Sequence, residues 1–264
     1  MDLGLKGKTA VVSGSTAGIG FAIAAALAAE GAKVVVNGRT EARVTSALEK
    51  IREHVKNADV RGVAADLGSA QGVAAFLKQV PDADVLVNNL GIFEVKPFLE
   101  IPDSDWLRFF EVNVLSGVRL ARHYLPGMLK KNWGRIIFIS SESAQNIPAE
   151  MVHYGMTKTA QVSIARGIAE SVAGTGVTVN SVLAGPTASE GAVNFVESLA
   201  KQQGISSAEF EKQFFSTIRP SSLLKRFETP EEVAAVVAFV ASTQAVAING
   251  AAVRAEGGVV RGIF

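Results

Sequence analysis

In the first two-thirds of the chain, short and nearly unbroken apolar runs alternate with longer stretches whose apolar positions recur at helical spacing. The runs at 9–12, 33–36, 60–64, 84–87, 135–139 and 177–182 are rich in Val and Ile. A strand reads this way when helices cover both of its faces. Helix-length segments fill the gaps at 18–30, 41–55, 71–79, 105–131 and 153–173, and Gly31 stands where the first of them should be capped. Strand and helix in alternation predict an α/β fold, a doubly wound and mostly parallel sheet with helices on both faces. Each crossover must return over the sheet to lay the next strand parallel to the last.

After residue 182 the rhythm breaks. Residues 189–226 predict one or two helices between turn residues, and this stretch is the expected substrate lid. Thr229-Pro230-Glu231-Glu232 has the N-cap, first-turn proline and trailing glutamate of a helix start. It predicts a last helix at 231–241, followed by a short strand at 251–253. No linker, biased tract or repeat divides the sequence, so 1–264 is expected to form a single domain.

Composition narrows the partners. Hydrophobic residues make up 48% of the chain, enough for a large core. The 26 Lys and Arg against 25 Asp and Glu leave a net charge of +1. Such a balance offers no basic stripe to nucleic acid or to an anionic membrane, and neither is expected as a partner. The chain has no cysteine, which excludes disulfides, thiolate nucleophiles and thiolate metal sites. That absence fits a reducing compartment, and a cytoplasmic location is expected. The opening MDLGLKGKTA lacks the pattern of an export signal, and apolar runs such as FAIAAALAA and VAAVVAFVA are too short to span a bilayer. His54, His123 and His153 are scattered and predict no metal site. His153 abuts a tyrosine and is expected as a partly exposed residue at a helix start.

The first strand runs straight into Ser13-Gly14-Ser15-Thr16-Ala17-Gly18-Ile19-Gly20 and then a helix. The spacing is neither the usual G-x-G-x-x-G fingerprint nor a P-loop, yet its physics is close to theirs. Gly14 permits a tight turn, Gly18 lets backbone approach a pyrophosphate, and Gly20 lets the helix pack closely on the strand. The helix start then offers free N–H groups and the positive end of its dipole to phosphate. A glycine-rich turn that binds nothing is the bland alternative. The second strand ends at Asn37-Gly38-Arg39. An acidic residue there would hold the ribose hydroxyl of NAD, whereas Arg39 suits the extra phosphate of NADP. NADP is therefore the expected cofactor and NAD the second choice.

Tyr154 and Lys158 lie four residues apart on one predicted helix and so share a face. The strand before that helix ends in Ser140-Ser141, at the sheet edge where open α/β folds bind ligands. A free phenol titrates near 10 and is a poor acid–base group at neutrality. A neighbouring ammonium favours the phenolate and moves that pKa toward the working pH. Ser141 would hold a substrate oxygen while Tyr154 exchanges a proton with it. Glu142, Gln145 and Asn146 either line the substrate pocket or belong to a solvated loop. Phe195, Phe214 and Phe215 in the lid suit either an apolar substrate face or the packing of lid helices.

Taken together, these motifs resemble the short-chain dehydrogenase/reductase family over essentially the whole chain. The family's glycine turn is similar to residues 13–20, and its aspartate after strand three to Asp66 in Asp66-Leu67. Its N-N-A-G element is similar to Asn88-Asn89-Leu90-Gly91, its helix asparagine to Asn113, and its Y-x-x-x-K to 154–158. Ser141 stands thirteen residues before the tyrosine, as in the family. The turn after strand six resembles Ala184-Gly185-Pro186-Thr187, and the terminal D-G-G resembles Glu256-Gly257-Gly258. Ser13, Leu90, Ala184 and Glu256 depart from the family pattern without removing a reacting group. The resemblance implies a Rossmann-type fold and catalysis by Asn113, Ser141, Tyr154 and Lys158, with Asn113 holding a water in a proton relay to Lys158. It also implies cofactor contacts from Gly14, Ser15, Thr16, Gly18, Ile19, Gly20, Arg39, Asp66, Leu67, Asn88, Gly91, Tyr154, Lys158, Gly185 and Thr187. Lys158 would bind the nicotinamide ribose, and Gly185 and Thr187 would flank the nicotinamide. A homo-oligomer, tetramer or dimer, is expected.

The leading expectation is an NADP(H)-dependent enzyme acting on a small-molecule ketone or secondary alcohol. A non-catalytic nucleotide sensor of the same fold has no need of all four catalytic side chains. An epimerase or dehydratase with a tightly held cofactor is a further alternative, though the short C-terminal region offers little room for the larger sugar-nucleotide domain such enzymes often have. The substrate itself is not legible, because one fold hosts many chemistries.

Overall fold

The structure, a computed structural model, describes residues 1–191, 193, 196, 200, 201 and 204–263. Seven strands are β1 (Thr9–Val12), β2 (Lys33–Gly38), β3 (Val60–Ala64), β4 (Val85–Asn88), β5 (Gly134–Ser141), β6 (Val177–Ala184) and β7 (Ala252–Ala255). They form one sheet in the order β3-β2-β1-β4-β5-β6-β7, and every pairing is parallel. Six helices run from α1 (Gly18–Ala29) and α2 (Glu41–His54) through α3 (Ala70–Gln79), α4 (Asp103–Phe110) and α5 (Ser116–Lys130) to α6 (Val152–Ser171). Among the described residues, two further helices with stated bounds are α7 (Ser207–Gln213) and α8 (Pro230–Ala241).

Continuous apolar strands follow from burial on both faces. In β1, Ala10 and Val12 pack toward α1, α2 and α8, while Val11 packs toward α3, α5 and α6. The same alternation places Ile137 and Ile139 of β5 on the first side, and Ile136 and Phe138 on the second. The apolar stretch of α8 belongs to this core: Val233 and Val237 are fully buried.

Local signals set the helix ends. α1 closes at Gly31, whose N–H returns to the Ala28 carbonyl at 3.0 Å. At the head of α8 the Thr229 side chain accepts from the Glu232 N–H, and the Glu232 carboxylate accepts from the Thr229 N–H, as the sequence predicts. The segment expected as one helix at 105–131 begins at Asp103 and is interrupted by a π-turn at Glu111–Leu115. One wider turn shifts the apolar stripe too little to be seen in the sequence pattern. The chain order reverses between β1 and β4, which neighbour each other at the centre of the sheet. Ligand crevices of open α/β sheets form outside the carboxyl ends of the strands at such a reversal.

Candidate active site

A cleft of about 900 Å³ opens at that point. One end is the turn between β1 and α1. Gly14 and Gly18 hold φ of +60° and +55°, a region costly for any side chain. Gly20 is confined instead by space: an added Cβ would lie 2.4 Å from both the Asn89 amide nitrogen and the Gly14 carbonyl oxygen. α1 starts with no side-chain cap and no acidic residue in its first turn. Its first N–H groups therefore remain available along the cleft, where Gly18, Ile19 and Gly20 line the wall. By contrast, Thr40, Ser69 and Thr229 cap α2, α3 and α8 with their side chains. This open helix start fits a phosphate-bearing ligand.

Polar side chains beneath the turn hold its shape. The Ser13 hydroxyl accepts from the Asn89 and Leu90 N–H groups, each at 3.0 Å. The Asn37 carboxamide oxygen accepts from the Gly14 N–H at 3.1 Å, and its nitrogen donates to the Val63 and Ala65 carbonyls. Ser15 faces inward. It is fully buried and donates to the Val12 carbonyl at 2.7 Å, whereas Thr16 lines the cleft. Asn88 is also buried, and neither of its amide atoms has a hydrogen-bond partner among the described residues. The wall is lined there by its neighbours Asn89, Leu90 and Gly91.

Arg39 stands exposed at the outer wall beside Thr40, with Asp66 and the buried Leu67 across from them. Arg43, one turn into α2, joins this wall and donates to both carboxylate oxygens of Glu190 at 3.0 and 3.3 Å. The sequence reading did not single out Arg43. Its spacing of four from Arg39 across a helix start was the available signal. Two cations, Arg39 and Arg43, thus stand on this wall of the cleft.

The other end of the cleft holds Ser141, Tyr154 and Lys158, with Gly185 and Thr187 opposite. The Ser143 N–H donates to the Ser141 hydroxyl oxygen at 3.1 Å, and Ser141 and Tyr154 line the same stretch of the cleft. Ser140 donates to the Lys158 carbonyl at 2.8 Å, tying the end of β5 to α6. Lys158 is buried, and its ammonium donates to the Ile139 carbonyl at 2.9 Å while lying 5.6 Å from the centre of the Tyr154 ring.

The electrostatics differ from the sequence expectation. Burial pushes the Tyr154 phenol up to about 12, the neighbouring Ser141 side chain opposes that shift, the Glu142 charge adds to it and Arg219 reduces it. The Lys158 ammonium is directed at the Ile139 carbonyl near the end of β5. Burial itself pulls Lys158 down to about 8.

Asn113 lies behind this cluster in the π-turn. Its side-chain oxygen accepts from the Ile92 N–H at 2.8 Å, and its nitrogen donates to the Ile92 carbonyl and the Thr157 hydroxyl. Its main-chain carbonyl accepts from the buried Gln161 at 2.7 Å. Asn113 therefore fixes the backbone next to Gly91 and is not part of the cleft wall.

Two further residues, Glu142 and His153, differ from the sequence reading. Glu142 is neither solvated nor on the cleft wall; it is buried against Arg219, while Gln145 and Asn146 are exposed. His153 is fully buried under Phe109 and Trp106, with ring centroids 4.1 and 6.1 Å away. The distant aromatics of α4 cover it, which its place at a helix start could not reveal. Phe214 and Phe215 pack with Phe227 in an aromatic cluster; Phe195 lies outside the described residues. No group of three or more His, Asp or Glu side chains among the described residues is arranged to hold a metal ion. No described helix is long and apolar enough to cross a membrane.

Residues 8–200 match the family model described as short chain dehydrogenase. The chain is 48% identical to an uncharacterised oxidoreductase, YvaG, of Bacillus subtilis over 264 residues, covering both chains completely. It is 34% identical to D-beta-hydroxybutyrate dehydrogenase of Cupriavidus necator, covering 96% of this chain and 98% of that one. Among solved structures, L-sorbose reductase of Gluconobacter frateurii, complexed with NADPH and L-sorbose, superimposes with a TM-score of 0.94 at 31% identity over the whole of both chains. The glycine turn, the parallel sheet and these relatives agree: the chain belongs to the short-chain dehydrogenase/reductase family, nicotinamide-dependent oxidoreductases that act on CH–OH or C=O groups.

Proposed function

We propose that the protein is an NADP(H)-dependent reductase of ketones, or dehydrogenase of secondary alcohols, with Tyr154 as its acid–base group. The observation that carries this reading is the gathering of Ser141, Tyr154 and Lys158 in the same cleft as the open start of α1. Ser141 positions the substrate oxygen, and Tyr154 gives it a proton in reduction or removes one in oxidation. Lys158 supplies positive charge beside the reacting group, and Asn113 holds the π-turn against Gly91. The nicotinamide, when bound, supplies or takes up the hydride.

The phosphates rest on Gly14, Thr16, Gly18, Ile19 and Gly20, with Ser15 bracing the turn from below. Asp66 and Leu67 border the adenine, Asn88 supports the wall carrying Gly91, and Gly185 and Thr187 flank the nicotinamide. Arg39 takes the additional phosphate, which favours NADP over NAD. The NADPH in the L-sorbose reductase structure supports the same preference. Residues 189–226 act as the substrate lid. The exposed apolar side chains Leu107 and Phe110 on α4 support assembly as a homo-oligomer.

A panel of ketones and secondary alcohols, followed by nicotinamide absorbance with NADP and NAD side by side, tests the reading. Turnover is expected with at least one ketone and NADPH, with NADH slower. Turnover that is faster with NADH throughout would overturn the cofactor assignment.

A further inference from the structure

Directly after Ser141 the chain buries a charge. Glu142 is 2% exposed, and one of its carboxylate oxygens accepts from the Arg219 guanidinium at 2.8 Å and from the Ser143 hydroxyl at 3.3 Å. The other oxygen is buried without a hydrogen-bond partner among the described residues. Arg219 is 8% exposed and follows the π-turn Phe214–Ile218 that continues α7. It also donates to the Ile218 carbonyl at 3.1 Å, and its guanidinium lies 5.9 Å from the centre of the Phe214 ring. The pair therefore joins two parts of the chain 77 residues apart: the strand end carrying Ser141, and the aromatic cluster of Phe214, Phe215 and Phe227.

Stability gives little reason for this arrangement. A buried ion pair is often matched or exceeded by apolar side chains of similar volume, and a carboxylate with one oxygen unsatisfied is worse placed still. Its position supplies a reason: Glu142 directly follows Ser141 in a turn tied to α6 by the Thr159 hydroxyl, which donates to the Ala144 carbonyl at 2.9 Å, and there its charge opposes the Tyr154 phenolate while that of Arg219 favours it. Other charged groups nearby are Glu150, 3.7 Å from the Arg219 guanidinium, Glu256, whose charge reaches Glu142, and Lys158 beside the Tyr154 ring.

We propose that Glu142 and Arg219 are positioning residues for the reaction: their buried pair fastens the segment 207–219 to the strand end bearing Ser141 and sets the electric field at the Tyr154 hydroxyl. The proposal rests on the role given to Ser141 and Tyr154 above. It can be tested without turnover, because the chain has two tyrosines. The second, Tyr124, is buried in the core and donates to the Val80 carbonyl at 2.8 Å. In a Tyr124→Phe background, near-ultraviolet tyrosinate absorbance reports Tyr154 alone.

Glu142→Gln keeps the shape and removes the negative charge. It is expected to lower the pH of Tyr154 ionisation by roughly half a unit to one unit, and the alkaline limb of alcohol oxidation by the same amount. The double variant Glu142→Leu/Arg219→Met removes both charges and leaves an apolar pair, so the fold does not depend on one stranded charge. Its ionisation is expected near that of the parent, while kcat/KM for ketone reduction falls about tenfold through loss of the tie. An ionisation pH in Glu142→Gln equal to the parent's, together with unchanged kcat/KM in the double variant, would overturn the proposal. A purely structural pair would leave the tyrosinate midpoint where it was. If Tyr154 proved dispensable for turnover, the absorbance titration would still show whether the pair's field reaches it.

Discussion

At the glycine-turn end of the cleft the chain presents backbone N–H groups and exposed cations, whereas at the Ser141 end it presents buried side chains held by one another. Arg39 and Arg43 stand in solvent, and the Arg43–Glu190 pair is more than half exposed on both sides. Lys158, Glu142 and Arg219 are all buried. Exposed charges are screened and separately adjustable, so under the proposed function that end would tune affinity and cofactor choice. Buried charges act strongly on one another, so under the proposed function the other end would set proton affinity and rate, and its members cannot be changed singly without disturbing the rest.

The sharpest break at the glycine-turn end comes from filling its backbone. Gly20→Ala puts a Cβ 2.4 Å from the Gly14 carbonyl oxygen, which fixed backbone cannot relieve. Overpacking of this kind costs about 1–3 kcal/mol. Cofactor affinity measured by fluorescence titration is expected to fall by roughly 10- to 100-fold, with the environment of Tyr154 unchanged. An affinity equal to that of the parent would contradict the assignment of this turn.

A pH profile probes the other end. Burial holds Lys158 at about 8, so its ammonium is present below that pH and lost above it. Ketone reduction at saturating cofactor is expected to stay level from neutrality to about 8, then to fall by about tenfold per unit. Alcohol oxidation needs the phenolate and is expected to rise with pH instead. A reduction rate level far into the alkaline range would remove Lys158 from the chemistry.

The smallest effect belongs to the exposed cation. Arg39→Asp removes a charge-assisted contact to phosphate and offers an acceptor to a ribose hydroxyl. The ratio of kcat/KM for NADP over NAD is expected to drop about tenfold, the size of one partly screened contact. An unchanged ratio would reject the role given to Arg39.

Legibility in the sequence follows the same division. Strands β1 to β6 announced themselves because burial on both faces forces a continuous apolar run, and the glycine turn because backbone conformation restricts residue type. Tyr154, Lys158 and Ser141 were legible through fixed spacing along one helix and one strand end. The Glu142–Arg219 pair was not, since no local pattern marks partners 77 residues apart. His153 failed for the same reason: Phe109 and Trp106 reach it from another helix. The expected lowering of the phenol was outweighed by burial, which spacing along one helix does not report. Asn113 was found as a residue, but its amide is committed to Ile92 and Thr157, contacts made across the fold.

The most direct measurement is turnover of Tyr154→Phe alongside its cofactor dissociation constant. Loss of the hydroxyl should lower kcat for ketone reduction by about 10²–10⁴-fold, the usual span for one acid–base group, while NADPH binding stays close to that of the parent protein. Full turnover in this variant would contradict the assignment of proton transfer to Tyr154, however well NADPH binds.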